Sequence, residues 1–512
     1  MAANLPRELL FLIAEHLSRQ SSSLLPYALV SRDWQPVYES FIFSAVTVYS
    51  GSRDGTKARE QKGFSLEDFN TATSGQNFRR RAWIREVRYD ILVPYELLDW
   101  SNTKWDESYT VDNPVRKSNE TAFQTAMTRL FTGVLSSWDQ AHRLSVQIGL
   151  LGCKQGFELE PDTYRYDDAG DYRFDFTDGR TEALLSFVPC VDKLTFANWR
   201  RRYGRPFLFY EVQEDDEYDY YPERDPRPRN RWHQIWAGTV FQIAEHCPTM
   251  TELHLDLHEY VRPDHLEYIR DRRAAVAEGV LKLSGSLRVL NLTGYNEEPW
   301  KQTMSALNVL KTNHDTLAAS LRDLSLVLRE LRLTYVSLST DWLYPLDGSG
   351  QPTADPTSLH WPNLKILTLE KAPPFTPQGK WLALPDADEQ QIIDNVTDWE
   401  TEICNTERGC LTRPILDTEQ FHRLFISWGH AARNMPQINS MRFYVTHTTW
   451  VDFRFTIAAP GAEVTLSWGH DSAFYLPDHR VARAWGFDLK QLTSDQPGLY
   501  SASLPCWPPV AW

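Results

Sequence analysis

Apolar residues first recur at helical spacing near the start of the chain. Leu9, Leu10, Ile13 and Leu17 stand three and four residues apart, which predicts one face of a helix. Pro6 has the fixed φ suited to a first helical position, and Glu8 puts a negative charge in the first turn. Phe11, Leu12 and Ala14 fill much of the remaining circumference. Such a helix is apolar nearly all round and must be covered on more than one side. A second apolar stretch runs from Leu24 to Val30. Ser31 is placed to N-cap a third short helix carrying Trp34, Val37 and Tyr38, and Phe41, Ile42 and Phe43 close the unit. Three short helices in about 45 residues cannot bury that much apolar surface alone. Either the rest of the chain or a partner protein covers the remainder.

After Tyr49 the pattern changes. Residues 51–82 are rich in Gly, Ser, Thr, Lys, Arg and Asn and predict a polar linker. Beyond it one template recurs, apolar-x-x-apolar-x-apolar, the core of a leucine-rich-repeat strand. It fits Ile84/Val87/Tyr89, Ala141/Leu144/Val146, Val191/Leu194/Phe196 and Met250/Leu253/Leu255. It fits again at Leu287/Leu290/Leu292, Leu328/Leu331/Leu333, Leu364/Leu367/Leu369 and Ile438/Met441/Phe443. The starts are irregularly spaced, 36 to 74 residues apart, against about 20–29 in a standard repeat. Between them, Thr121–Ser137, Trp236–His246, His265–Leu283, Thr303–Leu310 and Glu419–Arg433 are apolar at helical spacing.

That alternation predicts parallel strands joined by helical crossovers. The expected fold class is α/β. A small all-α unit over 1–50 is followed, over 83–512, by a degenerate, irregular solenoid like a leucine-rich-repeat array, with strands on its concave face. A mixed α/β domain with unrelated strands is the alternative. Long insertions at about 211–231, 340–362 and 371–413 interrupt the array and predict exposed loops.

Composition narrows the function. The chain has 512 residues, 42% of them hydrophobic, which is enough for a large core and excludes wholesale disorder. Its 53 Lys and Arg against 68 Asp and Glu leave a net charge of -15. General nucleic-acid or membrane-surface binding is therefore not expected. No apolar run approaches the roughly 18 residues of a membrane span. The Leu9–Leu17 stretch is broken by Glu15 and His16, unlike a secretion signal. Six Cys with no C-x-x-C pair lack the usual zinc spacing, imply no cofactor, and suit the reducing cytosol or nucleus. Arg79–Arg81 and Arg200–Arg202 read as solvated charge, with nuclear targeting as the alternative.

The sequence has no G-x-S-x-G, P-loop, H-E-x-x-H or G-x-G-x-x-G. His254/Asp256 and His470/Asp471 have no nucleophile motif beside them and read as structural or surface pairs, so no catalysis is expected. Ser-Trp-Gly-His occurs twice, at 427–430 and 467–470, and reads as a chance repeat.

One motif speaks to function directly. Leu5-Pro6-x-Glu8-Leu9-Leu10-x-x-Ile13-x-x-x-Leu17, followed by Leu29-Val30-Ser31-x-x-Trp34, resembles the F-box at the N-terminus of many filamentous-fungal F-box proteins. The resemblance covers about residues 4–48. Ser21–Ser23 departs from the acidic turn and Leu found there in many F-boxes. The resemblance implies docking on the Skp-type adaptor of an SCF ubiquitin ligase, and through it on a cullin scaffold. The implied adaptor contacts are Leu5, Pro6, Leu9, Leu10, Ile13, Leu29, Val30 and Trp34. An F-box joined to leucine-rich repeats is a known family architecture, so the implied role is substrate recognition, with the C-terminal domain binding a protein target. An adaptor-bound scaffold, or an enzyme with a cryptic site, are the alternatives. In such a solenoid, alternation places Arg88, Asp90, Gln147, His254, Asp256, Asn291, Thr293, Arg332, Thr334, Glu370, Arg442 and Tyr444 on the concave face. That mixed-charge surface is the expected target contact.

Overall fold

A computed structural model describes residues 5–20, 23–51, 63–96, 114–155, 185–196, 235–257, 266–294, 305–355, 358–395, 413, 415–445, 451–457, 463–470, 475–496 and 498–509. The chain is mixed α/β with mostly parallel strand pairing. It divides into two compact units, residues 1–100 with 106–254, and 101–105 with 255–512.

The first unit opens with the three expected helices, α1 (Arg7–Arg19), α2 (Leu25–Ala28) and α3 (Trp34–Ile42). Leu10, Ala14, Leu24, Ala28, Val37 and Tyr38 form their shared core. Ser31 is not the N-cap expected of it: α3 begins at Trp34 with Asp33 at the N-cap position and no side-chain cap there, while Ser31, two residues earlier, accepts through Oγ from the Trp34 backbone N–H at 3.3 Å. The chain then passes from α3 straight into strand β1 (Ala45–Tyr49).

The polar linker expected over 51–82 is not what forms. Residues 52–62 lie outside the described residues, but β2 (Phe64–Ser65), α4 (Leu66–Thr73) and a 3₁₀ segment (Gly75–Trp83) follow. Leu66, Phe69 and Thr73 share one face of α4 and are buried. The Ser65 side chain caps that helix by accepting from Asp68 N–H at 3.0 Å. A few apolar residues at helical spacing outweigh a polar average composition.

Then come β3 (Glu86–Glu96), α5 (Pro114–Thr128), β4 (Leu144–Gln155), β5 (Val191–Phe196) and α6 (Ala237–Glu245). After α5 the helix continues to Ser137 as π and 3₁₀ turns. Strands pair in the order β2-β1-β3-β4-β5, all parallel. The apolar template sets the register: Val46 lies opposite Val87, Val87 opposite Val146, and Val146 opposite Leu194. β1 itself fits the template with Phe43, Val46 and Val48, all buried. β6 (Glu252–Asp256) spans the boundary between the units.

The second unit runs α7 (Leu266–Leu281), β7 (Val289–Thr293), α8 (Thr316–Ser325), β8 (Glu330–Thr334) and β9 (Ile366–Ala372). It continues with β10 (Ala383–Leu384), α9 (Ala387–Asn395), β11 (Ile415–Leu416), α10 (Thr418–Arg433) and β12 (Ser440–Val445). It ends with β13 (Val451–Ile457), β14 (Val464–His470), α11 (His479–Trp485), β15 (Thr493–Gln496) and β16 (Leu499–Leu504). β7, β8, β9 and β12 are parallel neighbours, with Leu290, Leu331, Leu367 and Met441 in one row. Across both units every template residue is buried except Ala141, which precedes β4 and is exposed.

Three expectations for this unit fail. From β12 the sheet continues as β13, β14, β16 and β15, each pair antiparallel, so the all-parallel array does not extend to residue 512. From β12 to β13, from β13 to β14 and from β15 to β16 the connections are too short for a helical crossover and make the strands reverse, whereas the chain between β14 and β15 carries α11. The helix expected over Thr303–Leu310 is absent from its described part. There Asn308 bridges Gln378, and Val309 N–H donates to Pro377 O. Gly379, at φ +81°, lets this backbone approach: a Cβ would lie 2.9 Å from Ala306 O. The crossover helix is α8 instead, N-capped by Asp315.

Nor are the insertions plain solvated loops. Within 340–362, Trp342, Leu343, Tyr344 and Trp361 are buried, and Trp361 Nε1 donates to Ser325 Oγ at 2.7 Å. Within 371–413, Phe375 and Leu382 are buried, while 396–412 lie outside the described residues. The insertion at 211–231 and the Arg200–Arg202 run also lie outside them. Among the described residues no helix is long and apolar enough to cross a membrane.

Candidate interaction surfaces

Helix α1 carries two apolar stripes. Leu10 and Ala14, with Leu17 beside them, face α3 and the small core. Leu9, Leu12 and Ile13 stand on the other side and are exposed. Phe11 lies between, its ring 5.8 Å from Phe41 and 5.7 Å from the Arg7 guanidinium carbon. From α2 and the turn after it, Leu25, Leu29 and Val30 are exposed as well, Leu29 at 86%. The small core holds on one side and leaves large apolar side chains in water on another, which is how interaction surfaces are built.

The motif positions separate accordingly. Pro6, Leu9, Ile13, Leu29 and Val30 are exposed, and Leu5 and Trp34 are half-buried against the core. Leu10 is 2% exposed, so its place among the surface contacts is corrected: it packs inward, because only one stripe of α1 can meet α3. Trp34 stacks on Tyr38 with ring centroids 5.6 Å apart, and Tyr27 stacks on the same ring at 5.5 Å. Leu12 and Leu25 are exposed residues that the motif reading missed. The i, i+3, i+4 spacing of Leu9, Leu12 and Ile13 carried that signal.

The unit is fastened to the sheet that follows. Arg80 donates to Glu39 through Nε and a terminal nitrogen, at 3.2 and 2.6 Å, and its guanidinium lies 5.0 Å from the Phe43 ring. Burial alone would raise the Glu39 carboxyl, but hydrogen bonds from Arg80 and Gln35 bring it below its ordinary range. Arg81 donates to Thr73 O at 2.7 Å and Ser137 O at 2.9 Å. Two of the three residues in the Arg79–Arg81 run are thus engaged within the fold rather than simply solvated.

A second surface is the polar face of the strands. In the first unit Arg88 Nε contacts Asp90 at 3.0 Å and His254 contacts Glu252 at 3.5 Å. Asp90 is 1% exposed, so it is corrected from a surface residue to a buried counter-charge. In the second unit, pairing aligns Asn291, Arg332, Thr368 and Arg442 across β7, β8, β9 and β12. β13 adds Arg454 opposite Arg442. Arg442 contacts Glu370 at 2.8 Å and Asp452 at 3.2 Å. Burial works against the Arg442 charge, but Asp452 and Glu370 outweigh it and hold the guanidinium protonated more firmly than usual. Arg442 also lies 5.3 Å from the centre of the Tyr444 ring. Asp256, on β6, is half-buried. The sequence reading missed Asp452 and Arg454 because it did not foresee an antiparallel strand beside β12. Their alternation with buried Phe453 and Phe455 was legible.

No family model matches the chain, and no curated protein or solved structure matches it.

Proposed function

We propose that this protein is a substrate-recognition subunit of an SCF-type ubiquitin ligase. Its three N-terminal helices would dock on the Skp-type adaptor, and through it on the cullin. The remaining chain would hold a protein target. The single observation that carries the reading is the exposed apolar set on α1 and the turn after α2. Leu9, Ile13, Leu29 and Val30, four positions of the F-box-like motif, are apolar and exposed, as a docking surface requires. The proposed role is non-catalytic. Holding a target beside the ubiquitin-transfer machinery raises the effective concentration of its lysines.

The test is co-purification with the adaptor. Wild-type chain should retain adaptor and cullin, and Leu29→Asp, which places an unpaired charge in a desolvated contact, should lose both. Retention of the adaptor by a folded Leu29→Asp protein would sink the proposal.

A further inference from the structure

The carboxyl ends of β8, β9 and β12 carry a second arrangement, independent of the helical unit. Tyr335, just after β8, and Lys371, near the end of β9, have φ of +56° and +50°. Left-handed backbone at two non-glycine residues is costly and concentrates at functional positions. At Lys371 the β9–β12 register shifts, a bulge that re-aims side chains. The Lys371 ammonium lies 5.2 Å from the Tyr335 ring centroid, and Arg442 sits similarly over Tyr444 at 5.3 Å. Beside them Arg332, Arg442 and Arg454 occupy one row across four strands, with Thr368 between the first two.

The balance of charge decides what could bind. Four cations meet here, Arg332, Lys371, Arg442 and Arg454. Their acidic neighbours are Glu330, Glu370 and Asp452. Asp452 is buried and engaged by both Arg442 and Arg454. The Asp452 charge therefore lies within the sheet surface and Glu330 is half-buried, Glu370 is about as exposed as Arg442, and Arg454 and Lys371 are exposed. In a chain of net charge -15, this is a local cationic face. Strands about 4.8 Å apart put Arg332 and Arg442 about 10 Å apart. A peptide in the polyproline II conformation, rising about 3.1 Å per residue with three residues per turn, spans that distance in about three residues and keeps those side chains on one face.

We infer that this face takes an acidic stretch of polypeptide, with carboxylates about three residues apart over Arg332 and Arg442 and one near Lys371. Carboxylates would complete the guanidinium hydrogen bonds that the sheet's own acids leave open to solvent. The inference deepens the reading of the protein as a target receptor and rests on it. It names the class of segment recognised.

The experiment uses the full-length chain, co-expressed with the adaptor where that is needed for solubility. The probe is a fluorescein-labelled peptide, Glu-Gly-Ser-Glu-Gly-Ser-Glu, read by anisotropy. Two control peptides replace Glu by Gln or by phosphoserine. Wild type should bind the Glu peptide and not the Gln peptide, with affinity falling as salt rises. Arg332→Gln with Lys371→Asn, which keeps a residue tolerant of left-handed backbone, should weaken binding about fivefold. Its melting temperature should stay unchanged. Equal binding of the Glu and Gln peptides, unaltered binding by the double variant, or binding of phosphoserine alone would each overturn the assignment. Adaptor co-purification is scored on the same preparations, so failure of the peptide site and failure of the receptor reading are distinguishable.

Discussion

Leu10 and Leu29 are the same residue type in one small helical unit, yet one is 2% exposed and the other 86%. Substitutions should separate them. Leu10→Ala opens a cavity beside Ala14, Val37 and Tyr38 and should cost about 2–5 kcal/mol of stability. Leu29→Asp removes nothing that the folded chain buries, so its melting curve should overlay wild type within about 0.5 kcal/mol while adaptor binding is lost. Differential scanning calorimetry with a pull-down reads both. A second pair makes the same point for charge. Arg332 is exposed and leans on Glu330 alone at 3.4 Å, whereas Arg442 bridges Glu370 and the buried Asp452. Arg332→Glu should leave stability nearly unchanged. Arg442→Glu should cost about 1–3 kcal/mol, since it leaves a buried carboxylate facing another. Equal melting temperatures for the two variants would show that the Asp452 contact is dispensable.

Between elements, helices α10 and α11 approach closely at Gly429. A Cβ on Gly429 would lie 2.9 Å from the Ala484 carbonyl carbon and 3.0 Å from both Ala484 Cβ and Trp485 Cδ1. Backbone has no room to yield, so Gly429→Ala should destabilise by about 1–3 kcal/mol, measurable by thermal melting. This assigns roles to one Ser-Trp-Gly-His copy: Ser427 Oγ accepts from Tyr344 N–H at 2.9 Å and Trp428 is buried. The other copy lies on β14, a strand, so the shared tetrapeptide does two unrelated jobs. His430, next in the helix, is pushed down to about 4 by burial and then by the Arg433 charge. Its neutral form is therefore favoured in the folded state. Above the unfolded value of about 6.5 both states are neutral and no stability is lost. Between 6.5 and about 4 only the unfolded state takes the proton. Stability should fall over that window by about 3 kcal/mol. Melting curves from pH 7.5 to 4 should show the loss, and His430→Asn should flatten it.

At the scale of the whole molecule, the exposed Leu12, Leu25, Leu29 and Val30 make the isolated chain prone to self-association. Co-expression with the adaptor should raise the soluble yield, because a partner that binds only the folded state stabilises it by mass action. Equal yields of monomer with and without the adaptor would count against docking there. Removing residues 1–48 is a poor substitute for point variants. It takes most of β1, which pairs with β3 from Ala45 to Tyr49, and it deletes the Glu39 partner of Arg80. That truncation should unfold much of the first unit.

Local pattern alone determined a good deal here. A residue's place in an alternating strand or on a helix stripe depends only on its near neighbours, so the three N-terminal helices and the strand template were legible. Even the register of Leu290, Leu331, Leu367 and Met441 follows from burying the same template position on each strand. Other features arise from contacts between residues far apart in sequence, and those only the tertiary structure decided. Arg442 meets Glu370 across 72 positions, and Arg80 meets Glu39 across 41. The reversal from parallel to antiparallel pairing after β12 follows from how short the next connections are, not from strand composition. Which of two equally apolar stripes on α1 stays in water depends on where α3 comes to lie. Hydrophobicity by itself carries no direction, and packing supplies it.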